Sequence, residues 1–591
     1  MQRPKSKGPR RGVSSAPPVP VGLEKMSIVG SNRRANPSSR PNIGGADTHR
    51  SEGSLRSQAS SSFQRQQEAL GGGSSGHHAV IAALQSCVKV FCTAVAPSYM
   101  LPWMRGEESH RVGSAFAAIL PSGERRLFTH AQVVENCTLV QVRRAVDAQK
   151  FVARVVHVGF DVDIAVLHVD DPSFWEAIPA LPLPTALPGI MTEVMVVGFG
   201  MGGDELSTTR GVVNRITLGG TTRELCLQID ATFNPGNAGG PVLGPDGSLI
   251  GMSASNSAQA QNEGYIIPMP VMHTFLQNVA NAARDGLPYQ VVRVGVRRPT
   301  LALALAPTPT LTLSSRSPNP SPSPYQGRAT DCFRLQPLEN LALRVQLGLP
   351  ARPGPGEDGG VLVSQLPPDA AAAGVLREGD VILALDGHPI AADGTTVLPE
   401  MPDGVRLGMR YLVQRALPGA TLTYLVLREG KRMELPLLAT PRRPRLMPPR
   451  LPPPRPQWLV LGGLVFTPLL PDYEAVVPKS HLQMVHGPPS FEGQQVVLLL
   501  HVLQAEINIG CEDICGVLES FNGVAVRSLR HLFEMSEAAR CGPAPTEQLD
   551  FLLVTGELLV IDAARCWQTE EEIFSMHSIP TRARLTPLAD G

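Results

Sequence analysis

The feature that most constrains the fold is a series of short β-rich segments between residues 79 and 290. They include "FVARVVHV", "EVMVVGFG", "ELCLQID" and "GYIIP", and glycine and proline turn signals separate them. Helical spacing of apolar residues is scarce until "MPVMHTFLQNVANAARDG", residues 269–286. The pattern therefore predicts a mainly β domain that ends in one helix.

Two further units follow this region, each preceded by a low-complexity segment. Residues 296–327 contain prolines that exclude a continuous helix or central strand, so we interpret them as a linker or insertion. Residues 328–440 show strand, helix and strand–turn–strand patterns, with a hairpin predicted to turn at 429–430. Residues 441–457 form a polyproline linker. Residues 458–585 echo the preceding unit, since "FNGV" parallels "LDGH", and this indicates two copies of one module.

The N-terminal residues 1–78 have the composition of a disordered tail, rich in serine, arginine and glycine and poor in acids. The cluster "RPKSKGPRR" lies at residues 3–11, and no apolar signal segment precedes it, so we expect that the protein is not secreted. A nuclear localisation patch, an organellar transit peptide and a plain solvated tail all fit this composition. We expect the nucleus, with the chloroplast as the alternative.

Charge, hydrophobicity and cysteine spacing argue against nucleic acid, a membrane span and a metal site. Lys+Arg and Asp+Glu both number 52, so no net charge favours nucleic acid as a partner. No run of 18 apolar residues predicts a membrane span. The nine cysteines are scattered, and Cys511 and Cys515 lack matching histidines. We therefore expect no metal site and no cofactor.

The segment "NPGNAGGPV", residues 234–242, has the form of a serine-protease nucleophile loop. Small residues let such a loop turn tightly, so that backbone N–H groups converge on one oxyanion. We predict an oxyanion loop at Gly236, Asn237 and Ala238, with Asn237 at the mouth of the cleft. The position of the nucleophile holds Ala238, which has only a methyl group.

Together with "DVDIAVLHVDDPSFWE", "VVGFGMGGDELSTTRGVVNRI" and "EGYIIPMPVM", this loop resembles the Deg/HtrA serine proteases, in particular the plant and algal branch with two PDZ-type domains. The resemblance implies a chymotrypsin-like double β-barrel over residues 79–295. Two PDZ-like α+β modules then follow, at 328–440 and 458–585.

The resemblance also places a catalytic triad on this chain. Asp163 of "DIAVL" matches the aspartate of the family, whereas Gln132 occupies the histidine position in "THAQVV" and Ala238 occupies the serine position. His130 lies two residues before Gln132, on the order of 6–7 Å away if the chain is extended. Because a general base must come within about 3 Å of its target, we do not expect His130 to substitute.

The implied function is that of a proteolytically inactive homologue that binds unfolded or peptide segments, or regulates family oligomers in protein quality control. An active endopeptidase with a rearranged site and a PDZ or polyproline scaffold are the alternatives. PDZ domains add a peptide strand beside a Gly-containing loop, so we expect peptide binding at Gly360, Val361, Leu362 and Val363. The resemblance implies homo-oligomers built on trimers or mixed oligomers with active paralogues, and the aromatic segment "YMLPW", 99–103, is a candidate for assembly.

Overall fold

The structure is a computed structural model that describes residues 74–585, apart from 257–262, 285–291, 295–332, 353–358, 448–455, 477–488 and gaps of five residues or fewer. The linker at 296–327 and most of the N-terminal tail lie outside the described residues. Helix α1 (Ser74–Gln85) begins before residue 78, so the tail predicted over 1–78 is too long at its C-terminal end.

Two closed six-stranded antiparallel barrels follow α1 and confirm the predicted chymotrypsin-like architecture. The strands of the first barrel are β1 (Cys87–Pro97), β2 (Arg105–Ile119), β3 (Arg125–His130), β4 (Cys137–Arg144), β5 (Lys150–Gly159) and β6 (Ile164–His168). Those of the second are β7 (Glu193–Gly198), β8 (Ser207–Gly219), β9 (Glu224–Ile229), β10 (Pro241–Leu243), β11 (Leu249–Asn256) and β12 (Gly264–Pro268). The first closes in the order β1-β2-β3-β6-β5-β4 and the second in the order β10-β11-β12-β9-β8-β7.

Alternating side chains explain why these strands close into barrels. On β5, Phe151 and Ala153 are buried in the first core, while Val152 between them is exposed. The short helix α2 (Pro172–Glu176) begins after Asp171, whose side chain accepts a hydrogen bond from the Ser173 amide. The predicted C-terminal helix is α3 (Met269–Arg284), which buries one apolar face against the second barrel.

The first module contains a main sheet in the order β13-β21-β20-β16-β15-β14, with β17 on β16 and a separate β18-β19 pair. Its elements are β13 (Val292–Val294), β14 (Arg334–Pro337), α4 (Leu341–Gln346), β15 (Val361–Gln365), β16 (Val381–Leu385), β17 (His388–Pro389), β18 (Thr395–Val397), β19 (Arg406–Gly408), α5 (Arg410–Gln414), β20 (Thr421–Arg428) and β21 (Lys431–Pro441). Strand β13 lies within the range assigned to the barrels, yet it pairs with β21. The first module therefore includes residues on the barrel side of the linker.

The second module has a sheet in the order β28-β27-β25-β24-β23-β22-β29, with β26 on β25. Its elements are β22 (Trp458–Leu461), β23 (Leu464–Pro468), β24 (Val497–Val502), β25 (Gly516–Phe521), β26 (Val524–Ala525), α6 (Leu529–Cys541), β27 (Gln548–Leu553), β28 (Leu558–Asp562), α7 (Ala563–Gln568), α8 (Glu570–Met576) and β29 (Ala583–Arg584).

Backbone angles confirm the turn predicted at 429–430 and show that the two repeated sequences form turns of the same kind. Glu429 and Gly430 turn between β20 and β21 with φ of 50° and 77°. The repeated turn has φ of 48° and 76° at residues 386–387 and φ of 49° and 74° at residues 522–523. All three pairs have the two positive φ values of a type I′ hairpin turn, which explains the Asp-Gly and Asn-Gly sequences of the repeat.

The segment "YMLPW" packs against the second module of the same chain. The Tyr473 hydroxyl donates to the Tyr99 carbonyl at 2.6 Å, and the two rings meet edge to face at 6.0 Å. Trp103 Nε1 donates to the His577 carbonyl at 3.2 Å, and the Trp103 ring lies 6.5 Å from that of Trp458. The two aromatic side chains proposed for assembly therefore contact the chain's own C-terminal module.

Over the described residues, the helices are all too short or too polar to cross a bilayer.

Candidate functional site

The loop at 236–240 has the backbone shape that its glycines predict. Gly236 and Gly239 have φ of 100° and 86°, a region that L side chains rarely adopt. A Cβ added to Gly239 would lie 2.4 Å from the Ser114 carbonyl oxygen and 2.7 Å from the His130 amide nitrogen. A Cβ on Gly240 would lie 2.0 Å from the Val197 carbonyl oxygen. The loop is therefore packed directly against backbone from both barrels, and its glycines are required for this approach.

Ser114 on β2 fastens the loop to the first barrel. Its hydroxyl donates to the Gly236 carbonyl at 2.8 Å and accepts from the Phe199 amide at 2.8 Å. Its amide donates to the Ala238 carbonyl at 3.0 Å. One buried side chain thus fixes the orientation of the 236–237 peptide and connects β2 to the segment after β7. The sequence offered no signal for this role, because the residues that Ser114 joins are far apart along the chain.

Asn237 is fully buried, so the prediction that it lies at the cleft mouth is wrong. Its carbonyl accepts a hydrogen bond of 2.6 Å from the Ser253 hydroxyl. The Ser253 carbonyl in turn accepts from the Gly239 amide at 2.8 Å. Ser253 therefore supports the loop from its buried side, whereas Gly236 and Ala238 are partly exposed.

Asp163, the predicted triad aspartate, is buried immediately before β6 and has a φ of 61°. Its carbonyl accepts from the Ala131 amide at 3.1 Å. Two side chains approach its carboxylate. Gln132 Nε2 donates to Oδ2 at 3.5 Å, and His130 Nε2 lies 3.0 Å from the same oxygen. The structure thus brings His130 and Gln132 together on the aspartate.

These two contacts differ in geometry and exposure. His130 is buried, and its Nε2 lies 3.0 Å from Oδ2 but makes no aligned hydrogen bond with any described residue. Gln132 is exposed on a 3-10 helix, Ala131–Val134, that Arg111 holds through a 2.8 Å bond to the Gln132 carbonyl. The accessible group on Asp163 is therefore a neutral amide, which cannot accept a proton as an imidazole does.

The backbone N–H groups of the loop remain available. Among the described residues, the Asn237, Gly239 and Gly240 amides donate within the loop or to its support, whereas the Gly236 and Ala238 amides have no acceptor. These are the two N–H groups that flank Asn237 in the predicted oxyanion loop. Such amides do not depend on the identity of the side chain at 238, so the loss of serine leaves them in place.

An ion-pair cluster links the first barrel to the segment between β7 and β8, which contacts this site. Lys89, which is buried on β1, donates to Asp204 at 2.7 Å, and Arg143 on β4 lies 3.2 Å from the same carboxylate. The Lys89 hydrogen bond, followed by that of Arg143, lowers the pKa of Asp204 to about 2. Asp204 precedes Ser207, whose hydroxyl lies 3.4 Å from the Asn237 side-chain oxygen. The segment between β7 and β8 is thus held at one end by the first barrel and touches the loop at the other.

The first module differs in detail from what was expected for peptide binding. Val361, Leu362 and Val363 lie on β15, which pairs with β14 on one side and β16 on the other. The Gly360 amide donates to the Ile390 carbonyl at 2.7 Å. Both sides of β15 are therefore occupied, and β14 (Arg334–Pro337) is the described edge strand on this side of the sheet.

The part of the chain that the structure describes contains no group of three His, Cys, Asp or Glu side chains able to hold a metal ion.

Two family models match separate parts of this chain. Residues 113–252 match the model of the trypsin-like peptidase domain, and residues 448–584 match that of the PDZ domain. The HtrA-type protease AlgW, solved with a decapeptide, is similar over 63% of this chain and 99% of its own, at 23% identity and a TM-score of 0.41.

Curated relatives extend the similarity over most of the chain. Protease Do-like 2, chloroplastic, of Arabidopsis thaliana is 33% identical over 471 residues, which is 77% of this chain and 68% of the relative. Putative protease Do-like 3, mitochondrial, of the same plant is 30% identical over 512 residues, 85% of this chain and 80% of the relative. The chain therefore belongs to the Deg/HtrA family of Do-like proteases.

Proposed function

We propose that this chain is a proteolytically inactive Deg/HtrA homologue that binds unfolded or peptide segments in the cleft between its barrels. One observation carries this proposal: the site lacks two of the side chains that catalysis needs but keeps the third and the loop backbone. Ala238 and Gln132 stand where the nucleophile and general base are expected, while Asp163 and the folded loop around Gly236 remain.

Chemistry argues against peptide-bond hydrolysis by the family mechanism. An alanine methyl cannot attack a carbonyl, and a glutamine amide cannot take the proton of an attacking group. In subtilisin, removal of the serine or the histidine alone lowers kcat by about 2 × 10⁶. Both groups are replaced here, so the turnover left by binding and oxyanion contacts alone is negligible.

Peptide binding, by contrast, depends on backbone that is still in place. The loop is braced by Ser114 from the first barrel and by Ser253 from β11. Its Gly236 and Ala238 amides have no acceptor among the described residues, so they can donate to a carbonyl of a bound chain. If the loop only closed the barrel, these two partly exposed amides would have no acceptor in the described part of the chain, whereas a bound peptide gives them one.

A rearranged active site is the second candidate, and the contact between His130 and Asp163 favours it. A histidine 3.0 Å from a buried carboxylate is the orienting half of a catalytic triad. Two facts weigh against it. His130 is buried and presents Nε2 to Asp163, and no hydroxyl or thiol replaces the missing serine at position 238. The contact between His130 and Asp163 is therefore better explained as a structural contact between two buried side chains.

The proposal also covers peptide binding at the edge of the first module, the oligomeric state and the cellular compartment. In the first module, β14 rather than the interior β15 is the edge that can accept a peptide strand. We also propose trimer-based homo-oligomers or mixed oligomers with active paralogues, and a role in protein quality control, because the family resemblance implies them. The relatives named above carry chloroplastic and mitochondrial labels, so we propose an organelle, and no finding supports the nucleus.

A binding assay with a cleft-filling variant tests the proposal. Fluorescent unfolded casein is titrated with the full chain and with Ala238→Phe, which adds a ring at the partly exposed loop position. We expect casein to bind the native chain and the variant to bind at least about tenfold more weakly. Gly123→Ala, in the turn after β2, provides a control away from the loop. Equal binding by Ala238→Phe and the native chain would assign binding to the PDZ-type modules and refute the cleft.

A further inference from the structure

Three donors of the loop have no acceptor among the described residues. The Gly236 and Ala238 amides are unpaired, and Asn237 Nδ2 is buried without a hydrogen-bond partner in the described part of the chain. A buried polar group without a partner costs about 1–3 kcal/mol, and Asn237 Nδ2 is such a group. Gly236 and Ala238 on either side of it are partly exposed, so a ligand can reach their amides and supply acceptors. A ligand rich in oxygen and poor in donors meets this requirement.

Replacement of histidine by glutamine changes the hydrogen-bonding role of its position. A neutral imidazole that donates to an aspartate presents an acceptor nitrogen on its other side. The Gln132 amide has two hydrogens on one nitrogen, of which one points toward Asp163 Oδ2 at 3.5 Å, and the second remains for another acceptor. Position 132 has thus become a donor that Asp163 orients.

Replacement of serine by alanine removes an oxygen from the same region. In an active protease, the serine oxygen lies next to the oxyanion donors and in contact with the peptide carbonyl. Ala238 lacks that oxygen, so the space beside the loop amides admits a second ligand oxygen without repulsion between lone pairs. One oxygen on the loop amides and one near the Gln132 amide is the pattern of a carboxylate.

We infer that the cleft selects the free C-terminal carboxylate of a peptide, such as the new chain end that another protease produces. This inference rests on the proposed function and names its ligand class. The terminal carboxylate would accept from the Gly236 and Ala238 amides and from Gln132, while the preceding residues lie along the cleft. No bond is made or broken, and the chain holds the end that a catalytic relative would release.

Matched peptides test this inference. One fluorescent decapeptide is made with a free C-terminal carboxylate and again with a C-terminal amide, and fluorescence anisotropy gives the Kd of each for the full chain. We expect the carboxylate form to bind at least about tenfold more tightly, the value of one charge-assisted hydrogen bond. In Gln132→Leu, which keeps the shape but has no donor, we expect the ratio to fall to about threefold or less. Gln149→Leu, an exposed glutamine in the turn between β4 and β5, should keep the full ratio.

The outcomes separate this inference from the proposal beneath it. A ratio near one, with binding still lost in Ala238→Phe, overturns carboxylate selection and leaves peptide binding in the cleft intact. A tenfold ratio that Gln132→Leu does not change assigns the carboxylate to a PDZ-type module and also overturns the inference. If Ala238→Phe does not weaken binding of either peptide, the proposed function itself fails.

Discussion

Gly239→Ala provides a quantitative test of the loop, because the structure supplies a matched control for it. Both Gly239 and Gly123 have positive φ, 86° and 85°, so an alanine at either position carries the same backbone penalty of roughly 1–2 kcal/mol. Nothing lies within 4 Å of a Cβ on Gly123. A Cβ on Gly239 would lie 2.4 Å from the Ser114 carbonyl oxygen and 2.5 Å from Thr129 Oγ1.

The difference between the two variants therefore isolates the packing term. Overpacking of a tight interior costs about 1–3 kcal/mol, and the nearest atom here is backbone, which cannot rotate away. We expect Gly123→Ala to lower the free energy of unfolding of the barrels by about 1–2 kcal/mol and Gly239→Ala by about 2–5 kcal/mol.

Hydrogen exchange in increasing urea measures this free energy for barrel peptides separately from the modules. The assay avoids the assumption that a chain of several domains unfolds in one step. A loss in Gly239→Ala no larger than that in Gly123→Ala would refute the view that the loop is held tightly between the two barrels.

Three further predictions concern other parts of the chain. Because Lys89 and Arg143 lower the pKa of Asp204 to about 2 from 3.8, its stabilising contribution is complete above pH 3.8 and is lost as the pH falls through about 2. The Tm difference between the native chain and Asp204→Asn should therefore vanish across that window, and a constant difference would contradict it. Cys515 and Cys541 are exposed, so they should react with Ellman's reagent at pH 8 well before the cysteines buried in the cores; equal rates would contradict the described packing. Trp103→Ala should speed hydrogen exchange around Trp458 and His577, which Trp103 contacts, and unchanged exchange there would show that this contact does not hold the second module.

Local sequence was sufficient for features that depend on neighbouring residues. Short strands and turn signals predicted a mainly β domain, and the family resemblance implied that it forms a double barrel. The Asp-Gly and Asn-Gly turns adopt the positive φ values that their residues predict. Ala238 and Gln132 stood out because a motif fixes what is expected at each position. Such features are readable from sequence because their cause lies within a few residues.

Features that depend on distant parts of the chain could not be read in this way. Ser114 is an ordinary strand residue until the fold places it against Gly236, and nothing in "GSAFAAI" indicates that contact. Val361 looked like a peptide-binding strand because its glycine-flanked pattern fits one, but the pairing of β14 places it in the sheet interior. The sequence argument excluded His130 as a base because it lies two residues before Gln132. In the fold, His130 lies at the end of β3, and its Nε2 is 3.0 Å from Asp163 Oδ2.

The His130 contact also affects how a variant with a serine and a histidine at the triad positions should react. In the double variant Gln132→His/Ala238→Ser, the new histidine must share Asp163 with His130, which already lies 3.0 Å from Oδ2. We expect labelling by a fluorophosphonate probe to be weak in the double variant and stronger when His130→Asn is added. Equal labelling of the two would show that His130 does not compete for the aspartate.

Casein turnover by the native chain tests most directly whether the chain cleaves peptide bonds. In parallel, the chain is treated with a fluorophosphonate probe, and mass spectrometry locates any label. We predict no cleavage above buffer and no label between residues 79 and 295. Casein cleavage that a substitution at the labelled residue abolishes would show that the chain is an active protease.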